Sequence, residues 1–446
     1  MICRRLLLSC YAQQEIVSGP PIASVYFTAR FSPDILVKNA QTRKSEGSDK
    51  MKQTRYLRAA VGVLLMLLLG AMYAWSYFKV AVEAAYPAWS QSQVTLTFTI
   101  MMSCFCVGGL LAGSALRRLG KRWQTVLAAA LIALGYWGVS VLPSGGQAAL
   151  VQLYLCYGVL NGLGTGIAYN AVLSGIQPWF PDCPGLISGC LLMGMGFGAL
   201  LLGNIADWLI GLAGLAVTFR IFALVLLVVL LLGSLALRLP GEADKLPLVR
   251  QTGTTPSQDL TTAQMLRRPT FRLYFLWNIC LSAGGMLVIN SASSITVYYG
   301  LAAVIGLLVS VFNGVGRLII GSCMDRLGWK RTMYLDNAVL LLSGLLLLLG
   351  DRSNGGGVVL VGMLLMGVCY GGGITISAAL IRQLYGSKHY ASNFSVCNLC
   401  LIPASILGPM LSAALQDASG GYWTTFLMVV ILGVVTMGMN LFVRRP

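Results

Sequence analysis

The chain has 446 residues, of which 57% are hydrophobic and only 10% charged, and its formal net charge is +17. Soluble domains carry about 25% charged residues, so this composition excludes an ordinary soluble protein and indicates a membrane protein. The positive charge is not accompanied by a nucleic-acid-binding motif, so we expect no nucleic-acid partner.

The first 50 residues are polar and mixed in charge, and they contain no membrane span. The segment Arg4-Arg5-Leu-Leu-Leu-Ser-Cys10 resembles the start of a lipoprotein signal, but its apolar core is shorter than such signals need. Two interpretations remain open. Residues 1–55 form a disordered cytosolic tail, or Met51 is the true start, because Met51-Lys-Gln-Thr-Arg-Tyr-Leu-Arg leads directly into the first apolar run.

Twelve apolar runs of about 20 residues follow, each long enough to cross a bilayer as a helix that satisfies its own backbone. The first six form an N-terminal bundle over 56–238, a cytoplasmic linker covers 239–270, and the last six form a C-terminal bundle over 271–446. In the linker, Thr261-Thr-Ala-Gln264 predicts a capping box and a short helix. The predicted spans are 57–80, 93–116, 123–142, 148–173, 184–211, 217–238, 271–297, 301–323, 331–350, 356–381, 390–416 and 422–443.

Two pairs of segments repeat between the halves. The basic loop Gly113–Arg122 resembles Gly321–Arg331, 208 residues later, and Gly158–Gly164 in span four resembles Gly367–Gly373 in span ten, 209 residues later. Two matches in the same order indicate a duplication. We therefore predict an all-α membrane protein with twelve transmembrane helices in two pseudo-symmetric six-helix halves, an organisation typical of transporters.

Lysine and arginine are concentrated in every second loop, and the opposite loops have almost none apart from Arg352. Because positive charge stays on the cytoplasmic side, this pattern places both termini and the linker in the cytoplasm, at a bacterial-type inner membrane.

The motifs of enzymes and cofactor proteins are missing. Cys397-x-x-Cys400 has no second cysteine pair, and His389 is the only histidine, so we predict neither a metal site nor a cofactor. No cluster of catalytic side chains lies at one depth and no ATP-binding motif is present, so an enzyme or an ATP-driven pump is not expected.

Arg317 is the side chain in the spans most indicative of function. It lies two helical turns before Asp325 in span eight, about 12 Å from the loop. Charges at such depth are costly and usually functional, and a guanidinium pairs with a carboxylate in a bidentate geometry. Two structural interpretations stay open, namely an ion pair with a protein acid and a side chain that reaches the membrane interface.

The other intramembrane charges are expected to have structural roles. Lys79 and Glu83, four residues apart, are expected to pair with each other, and Arg220 with Asp207. Asp325 and Asp336, near Arg326 and Lys330, are interpreted as latch or topology charges. No acid lies at the centre of a span, which argues against a dedicated proton relay and favours exchange. Aromatic and amide side chains that could complete a pocket are Tyr73, Trp75, Tyr77, Tyr169, Asn290 and Tyr370.

With these features in view, residues 56–443 resemble the major facilitator superfamily. Several segments together resemble its oxalate/formate antiporter branch: Tyr73-Ala-Trp-Ser76, Thr97-Phe-Thr-Ile100, Trp179-Phe-Pro-Asp182 with Gly185, Leu186 and Gly189, Asn313-x-x-Gly-Arg317, and Asn393-Phe394. The resemblance implies that Arg317 binds the substrate and that Tyr73, Trp75, Tyr169 and Tyr370 line a central cavity.

The chain departs from that branch at several positions. Leu401 stands where members that exchange the dianion oxalate have a lysine, Met72 replaces a glutamine, Arg117 replaces the acid of the first loop motif, and Cys183-Pro184 replaces a basic pair. One cavity cation instead of two disfavours a dianion, so a monocarboxylate the size of pyruvate, lactate or formate is expected.

The expectation is a secondary active transporter, a monomer in the lipid bilayer, that moves a small organic anion by alternating access and exchange. Two alternatives remain open: a carrier of a neutral or amphiphilic solute, for which Arg317 is structural, and a carrier-fold sensor that does not transport. The residues expected to form the gating loops are Gly113, Arg117, Arg118, Gly120, Arg122, Gly321, Asp325, Arg326, Gly328 and Lys330.

Overall fold

The computed structural model describes residues 53–143, 145–241, 259–289, 291–302, 305–306 and 308–443, which are almost entirely helical. The predicted tail up to residue 52, most of the linker and Asn290 lie outside them. The long helices are α1 Gln53–Ala85, α2 Gln91–Gly113, α3 Gly120–Ser140, α4 Gly146–Trp179, α5 and α6 within Pro184–Ser234, α7 Pro269–Ile289, α8 Leu308–Leu327, α9 Trp329–Arg352, α10 Gly356–Tyr385, α11 as Tyr390–Asn398 and Leu401–Ser419, and α12 Trp423–Phe442.

The continuous helix Pro184–Ser234 contains two membrane spans. Its 51 residues would extend about 76 Å, more than twice the roughly 30 Å of a bilayer core. Gly214 interrupts it with a φ of 79°, a conformation that glycine adopts without steric cost, and divides it into α5 (184–213) and α6 (215–234). This break lies between predicted spans five and six. The eleven long apolar helices of the described residues therefore provide twelve spans, and the predicted fold class is confirmed.

Residue contacts divide the chain into Met1–Leu57, of which residues 53–57 are described and helical, and Arg58–Pro446. In the second unit the two six-helix sets repeat the same packing. A Cβ on Gly166 of α4 would lie 1.9 Å from the Phe105 carbonyl oxygen of α2, and one on Gly316 of α8 would lie 2.3 Å from the Val368 carbonyl oxygen of α10. Small residues thus allow the equivalent pairs α2–α4 and α8–α10 to touch backbone to backbone.

The two sets meet at the end of the bundle that carries the loops 114–122 and 325–331, which we call the basic end. Gly113 at the end of α2 packs against Ala391 of α11, and Gly321 of α8 packs against Gly185 of α5. Each contact is close enough that a Cβ on the glycine of the loop motif would lie 2.5 Å from the facing carbonyl oxygen. The basic end is therefore closed in this structure.

Some smaller expectations can be compared directly with the structure. The capping box at Thr261 is present and begins the short helix Thr262–Arg267. Lys79 pairs with Glu83 at 3.6 Å, as predicted. The expected pair of Arg220 and Asp207 is wrong, because the Arg220 guanidinium instead lies 5.9 Å from the centroid of the Trp137 ring on α3.

Candidate functional site

Arg317 is buried at the middle of α8, ten residues before the helix ends at Leu327, and only 2% of it is exposed. Its Nε donates to Asn313 Oδ1 at 3.2 Å, one turn earlier, and its Nη1 donates to the Leu192 carbonyl oxygen of α5. Among the described residues no acid forms an ion pair with it. A guanidinium has five N–H donors, so three remain available for an anion.

Three of the predicted aromatic residues lie within electrostatic range of this guanidinium. The side chains of Tyr73 (α1), Tyr169 (α4) and Tyr370 (α10) interact electrostatically with Arg317, and Tyr73 also interacts with Tyr169 and Tyr370. The structure thus brings together four predicted site residues from four helices, two in each half of the bundle. A cation surrounded by phenols can bind a carboxylate through charge and hydrogen bonds.

Glycines make room for this cluster. A Cβ on Gly189 of α5 would lie 2.4 Å from the Arg317 carbonyl oxygen, and one on Gly285 of α7 would lie 2.5 Å from the Tyr370 ring. Tyr73 lies in a 3₁₀ turn, Gly70–Ala74, within α1, where Gly70 packs against the Met195 carbonyl of α5. Such turns within a long helix often mark hinges, and this one positions Tyr73.

Trp75 lies elsewhere. Its ring packs on Tyr157 at 4.5 Å between centroids, in an aromatic cluster that also contains Phe78, Tyr136 and Phe219 of the N-terminal half. Residues two apart on a helix point to nearly opposite sides, which explains why Trp75 and Tyr73 have different neighbours. Asn290 lies outside the described residues.

An aromatic stack extends from Tyr169 toward the basic end. Phe394 of α11 stacks on Tyr169 at 5.9 Å and on Tyr390 at 5.5 Å. Further along, Arg382 of α10 donates to Gln177 Oε1 at 3.1 Å. These contacts join α4 to α10 and α11, so they separate Arg317 from the basic end.

Asp325 of the second basic loop binds the first turn of α5. Its two carboxylate oxygens accept hydrogen bonds from the backbone N–H groups of Gly185 and Leu186, at 2.8 and 2.7 Å. These amides belong to the first turn of α5, where the helix dipole is positive and favours an anion. Asp325 therefore connects the C-terminal set of helices to the N-terminal set.

The first basic loop makes a different contact at the equivalent position. Arg117 Nη1 lies 3.4 Å from Nδ1 of His389, which precedes α11. Nearby hydrogen bonds hold α11 against α2 and α4, from Ser392 to the Gly113 carbonyl and from Asn170 to the Ala391 carbonyl (2.9 Å). This contact contains no carboxylate.

The remaining predicted loop residues have structural contacts or are exposed. Gly120 and Gly328 have φ values of 73° and 78°, which glycine adopts readily, and both begin the turn into the following helix. Lys330 donates to the carbonyls of Asn440 and Val443. Arg118, Arg122 and Arg326 are exposed.

Sequence reasoning missed several contacts of the site. Asn313 was visible as part of a motif but not as the partner of Arg317, and the Leu192 carbonyl gives no sequence signal. The interpretation of Asp336 as a latch charge near Lys330 is wrong, since Asp336 is fully buried in α9. Asp336 lies seven residues from the start of that helix, and this position is the sequence signal that could have shown it to be buried.

Comparison with known proteins places this architecture in a family. The sequence profile of the Major Facilitator Superfamily matches residues 60–401. A solved structure of the proton:xylose symporter XylE superposes with a TM-score of 0.64 at 16% identity, covering 88% of this chain and 96% of that one. At this identity the likeness concerns the fold alone.

Three relatives are similar in sequence. The uncharacterized MFS-type transporter YhjX of Escherichia coli is 26% identical over 353 residues (78% of this chain, 85% of the relative). The oxalate:formate antiporter of Oxalobacter formigenes is 26% identical over 419 residues (91% and 95%), and monocarboxylate transporter 10 of Rattus norvegicus is 24% identical over 333 residues (70% and 62%). Because the family profile matches most of its length, the chain belongs to the Major Facilitator Superfamily, and it is a multi-pass membrane transporter.

Proposed function

We propose that this transporter moves a small organic anion, with a monocarboxylate as the preferred substrate, and that Arg317 binds the carboxylate. The observation that carries the proposal is a buried guanidinium that has no acid partner among the described residues and that interacts electrostatically with the phenols of Tyr73, Tyr169 and Tyr370. The names of two relatives, an oxalate:formate antiporter and a monocarboxylate transporter, support the same substrate class.

The charge of the site favours a monoanion. Among the described residues, Arg317 is the one cation that interacts with all of Tyr73, Tyr169 and Tyr370, and Leu401 provides no second charge on α11. A dianion would keep one negative charge without a partner in a site from which water is largely excluded, which costs several kcal/mol. Pyruvate, lactate and formate carry a single charge and would be neutralised.

Exchange follows from the same charge. When the site is empty, Arg317 keeps its bonds to Asn313 and Leu192 but has no counter-charge, and enclosing the unpaired charge while the halves rock costs several kcal/mol. A bound carboxylate removes that cost. We therefore propose that the loaded carrier changes between its two open states faster than the empty one.

The proposed setting is a bacterial inner membrane, with the chain acting as a monomer, the basic end facing the cytoplasm and both termini on that side. The support is the clustering of Lys and Arg in the loops of that end. The halves 56–238 and 271–446 rock against each other, and the gate is the closed basic end.

Counterflow in proteoliposomes tests the proposal. Radiolabelled pyruvate, lactate or formate should accumulate in vesicles preloaded with the same unlabelled anion. Arg317→Lys should reduce the rate by about tenfold to a hundredfold, because a point charge replaces a bidentate donor. Arg220→Lys is the matched control, since Arg220 packs on Trp137, and it should leave the rate unchanged.

One observation favours a second candidate, a carrier of neutral solutes. Arg317 donates to Asn313 within α8 and to the backbone of α5, and a purely structural arginine that ties α8 to α5 would do the same. If no monocarboxylate gives counterflow, or if Arg317→Lys transports like the unmodified protein, the anion proposal is wrong. Binding of the anions without counterflow would instead identify a sensor.

A further inference from the structure

Asp336 is the least expected side chain in the molecule. It lies seven residues into α9, about 10 Å from the helix start, and none of its surface is exposed. Among the residues that the structure describes, neither carboxyl oxygen has a hydrogen-bond partner. Ionisable residues at such depth in a membrane helix are costly and mark functional sites more often than structural ones.

The carboxyl occupies a space that glycines leave for it. A Cβ on Gly372 of α10 would lie 2.4 Å from Asp336 Oδ1, and one on Gly373 would lie 4.0 Å from Oδ2. Any larger residue at position 372 would collide with the carboxyl. The glycines of α10 therefore leave a space that matches the shape of the Asp336 carboxyl.

Among the described residues, the groups that face this carboxyl include no cation within bonding distance. On α10 the Cys369 thiol lies beside it and donates to the Asp336 backbone carbonyl at 3.5 Å. On α8 the facing group is Cys323, with the exposed Arg326 beyond it. The described part of α12, Trp423–Phe442, has no titratable residue, and on α7 Trp277 bonds to the neighbouring Asn337.

An ionised carboxylate in this position would lose its water and gain at most the weak donor of the Cys369 thiol, which leaves a cost of several kcal/mol. The protonated acid avoids that cost. The group is thus in its neutral form while the basic end is closed, and it carries a proton.

Asp336 is also mechanically connected to the anion site. Gly371, next to the glycines that contact Asp336, packs so closely on α8 that its Cβ would lie 2.7 Å from Asn313 Oδ1. Asn313 in turn holds Arg317 Nε. Tyr370 precedes this run of glycines, so a movement of α10 changes the surroundings of both the acid and the guanidinium.

We propose that Asp336 is a proton-binding site, loaded while the basic end is closed and emptied into water when α10 moves away from α8 and α9. The step is the dissociation of the carboxyl O–H bond, in which the electron pair stays on the carboxylate and the proton passes to a water molecule. The role of this site in transport rests on the proposed function. One proton moved with one monocarboxylate makes net transport electroneutral, whereas exchange needs no proton release.

The proton itself is tested without any substrate. Infrared spectra of the full chain in nanodiscs at neutral pH should contain the carbonyl band of a protonated carboxylic acid. Asp336→Asn should remove this band, and Asp207→Asn, which changes an exposed acid of α5, should not. A wild-type spectrum that contains only ionised carboxylates would overturn the proposal.

Transport then separates the two proposals. With radiolabelled pyruvate, lactate or formate as the probe, Asp336→Asn should keep counterflow but reduce uptake driven by a pH gradient to the level of empty liposomes. If uptake driven by the gradient persists in this variant, the proton site is wrong and the anion proposal stands. If the unmodified protein gives no counterflow with any of the three anions, the anion proposal fails, while the infrared result still decides whether the proton is bound.

Discussion

Asp325→Asn is expected to loosen the closed basic end. The carboxylate accepts two backbone hydrogen bonds, from Gly185 at 2.8 Å and Leu186 at 2.7 Å, at the positive end of α5. Asparagine keeps one acceptor oxygen and loses the charge. Bonds to charged groups contribute about 1.5–3 kcal/mol each and the helix dipole adds about 0.3–1 kcal/mol, so the loss of one bond in a half-buried site costs about 2 kcal/mol.

That free energy changes the population of the open state directly. Because Asp325 lies in one set of helices and α5 in the other, its bonds exist only while the basic end is closed. A loss of about 2 kcal/mol raises the ratio of open to closed molecules about thirtyfold.

Hydrogen exchange measured by mass spectrometry detects this change at the two amides concerned. The peptide covering residues 183–190 should exchange about thirtyfold faster in Asp325→Asn than in the unmodified protein, since exchange follows the opening equilibrium. Asp207→Asn is the control, because it makes the same chemical change at an exposed position of α5, the helix whose amides are measured. Equal exchange rates in Asp325→Asn and the control would refute the reasoning.

Two further predictions follow from the contacts described above. Arg117→Asp replaces a cation beside the start of α11 by an anion, which the positive end of the helix dipole stabilises by about 0.3–1 kcal/mol. The amides of residues 390–394 should therefore exchange about twofold to fivefold more slowly. Faster exchange in this variant would contradict the prediction. Burial raises the pKa of Tyr299, and its hydrogen bond to Asp351 raises the pKa further. The neutral phenol therefore contributes its full stabilisation below its ordinary pKa of about 10, and this contribution is lost as the pH rises above that value. In thermal unfolding at pH 8, the free energy of unfolding of Tyr299→Phe should therefore be about 1 kcal/mol lower than that of the unmodified protein, and the difference should shrink above pH 10. A difference that stays constant with pH would contradict this assignment.

Most of the fold was predictable because the membrane leaves few choices. Apolar runs of sufficient length must be helices, and all twelve predicted spans correspond to described helices. The ends differ by several residues, as in α4, predicted as 148–173 and found as Gly146–Trp179. The helix ends extend beyond the apolar core, where polar residues continue the backbone hydrogen bonds, and hydropathy does not detect that extension.

The site was predictable only where one residue type has a single reasonable use. Arg317 stood out because a guanidinium is rare at that depth, and the tyrosines near it were candidates from their positions in the spans before the family resemblance implied the same role. Trp75 and Asp336 were misplaced for the same physical reason, since neither hydropathy nor the position along a span says which side of a helix faces a neighbour. The glycines at positions 372 and 373, spaced to receive a carboxyl, became meaningful only with the helices packed.

The two halves of the duplicated fold hold the basic end unequally, and this inequality predicts how it opens. Gly321 and Asp325 fasten α8 to α5 through backbone packing and two hydrogen bonds to a charged group. On the other side, Gly113 has the packing and a neutral hydrogen bond from Ser392, and Arg117 has a contact with His389. An arginine near the positive end of α11 opposes closure there, so hydrogen bonds such as that from Asn170 must hold that side. The weaker side should separate first, which moves α11 before α8. In the proposed cycle, the Phe394 contact with Tyr169 is then lost while Arg317 still bonds to α5, so the anion site becomes accessible before its cation loses its protein partners.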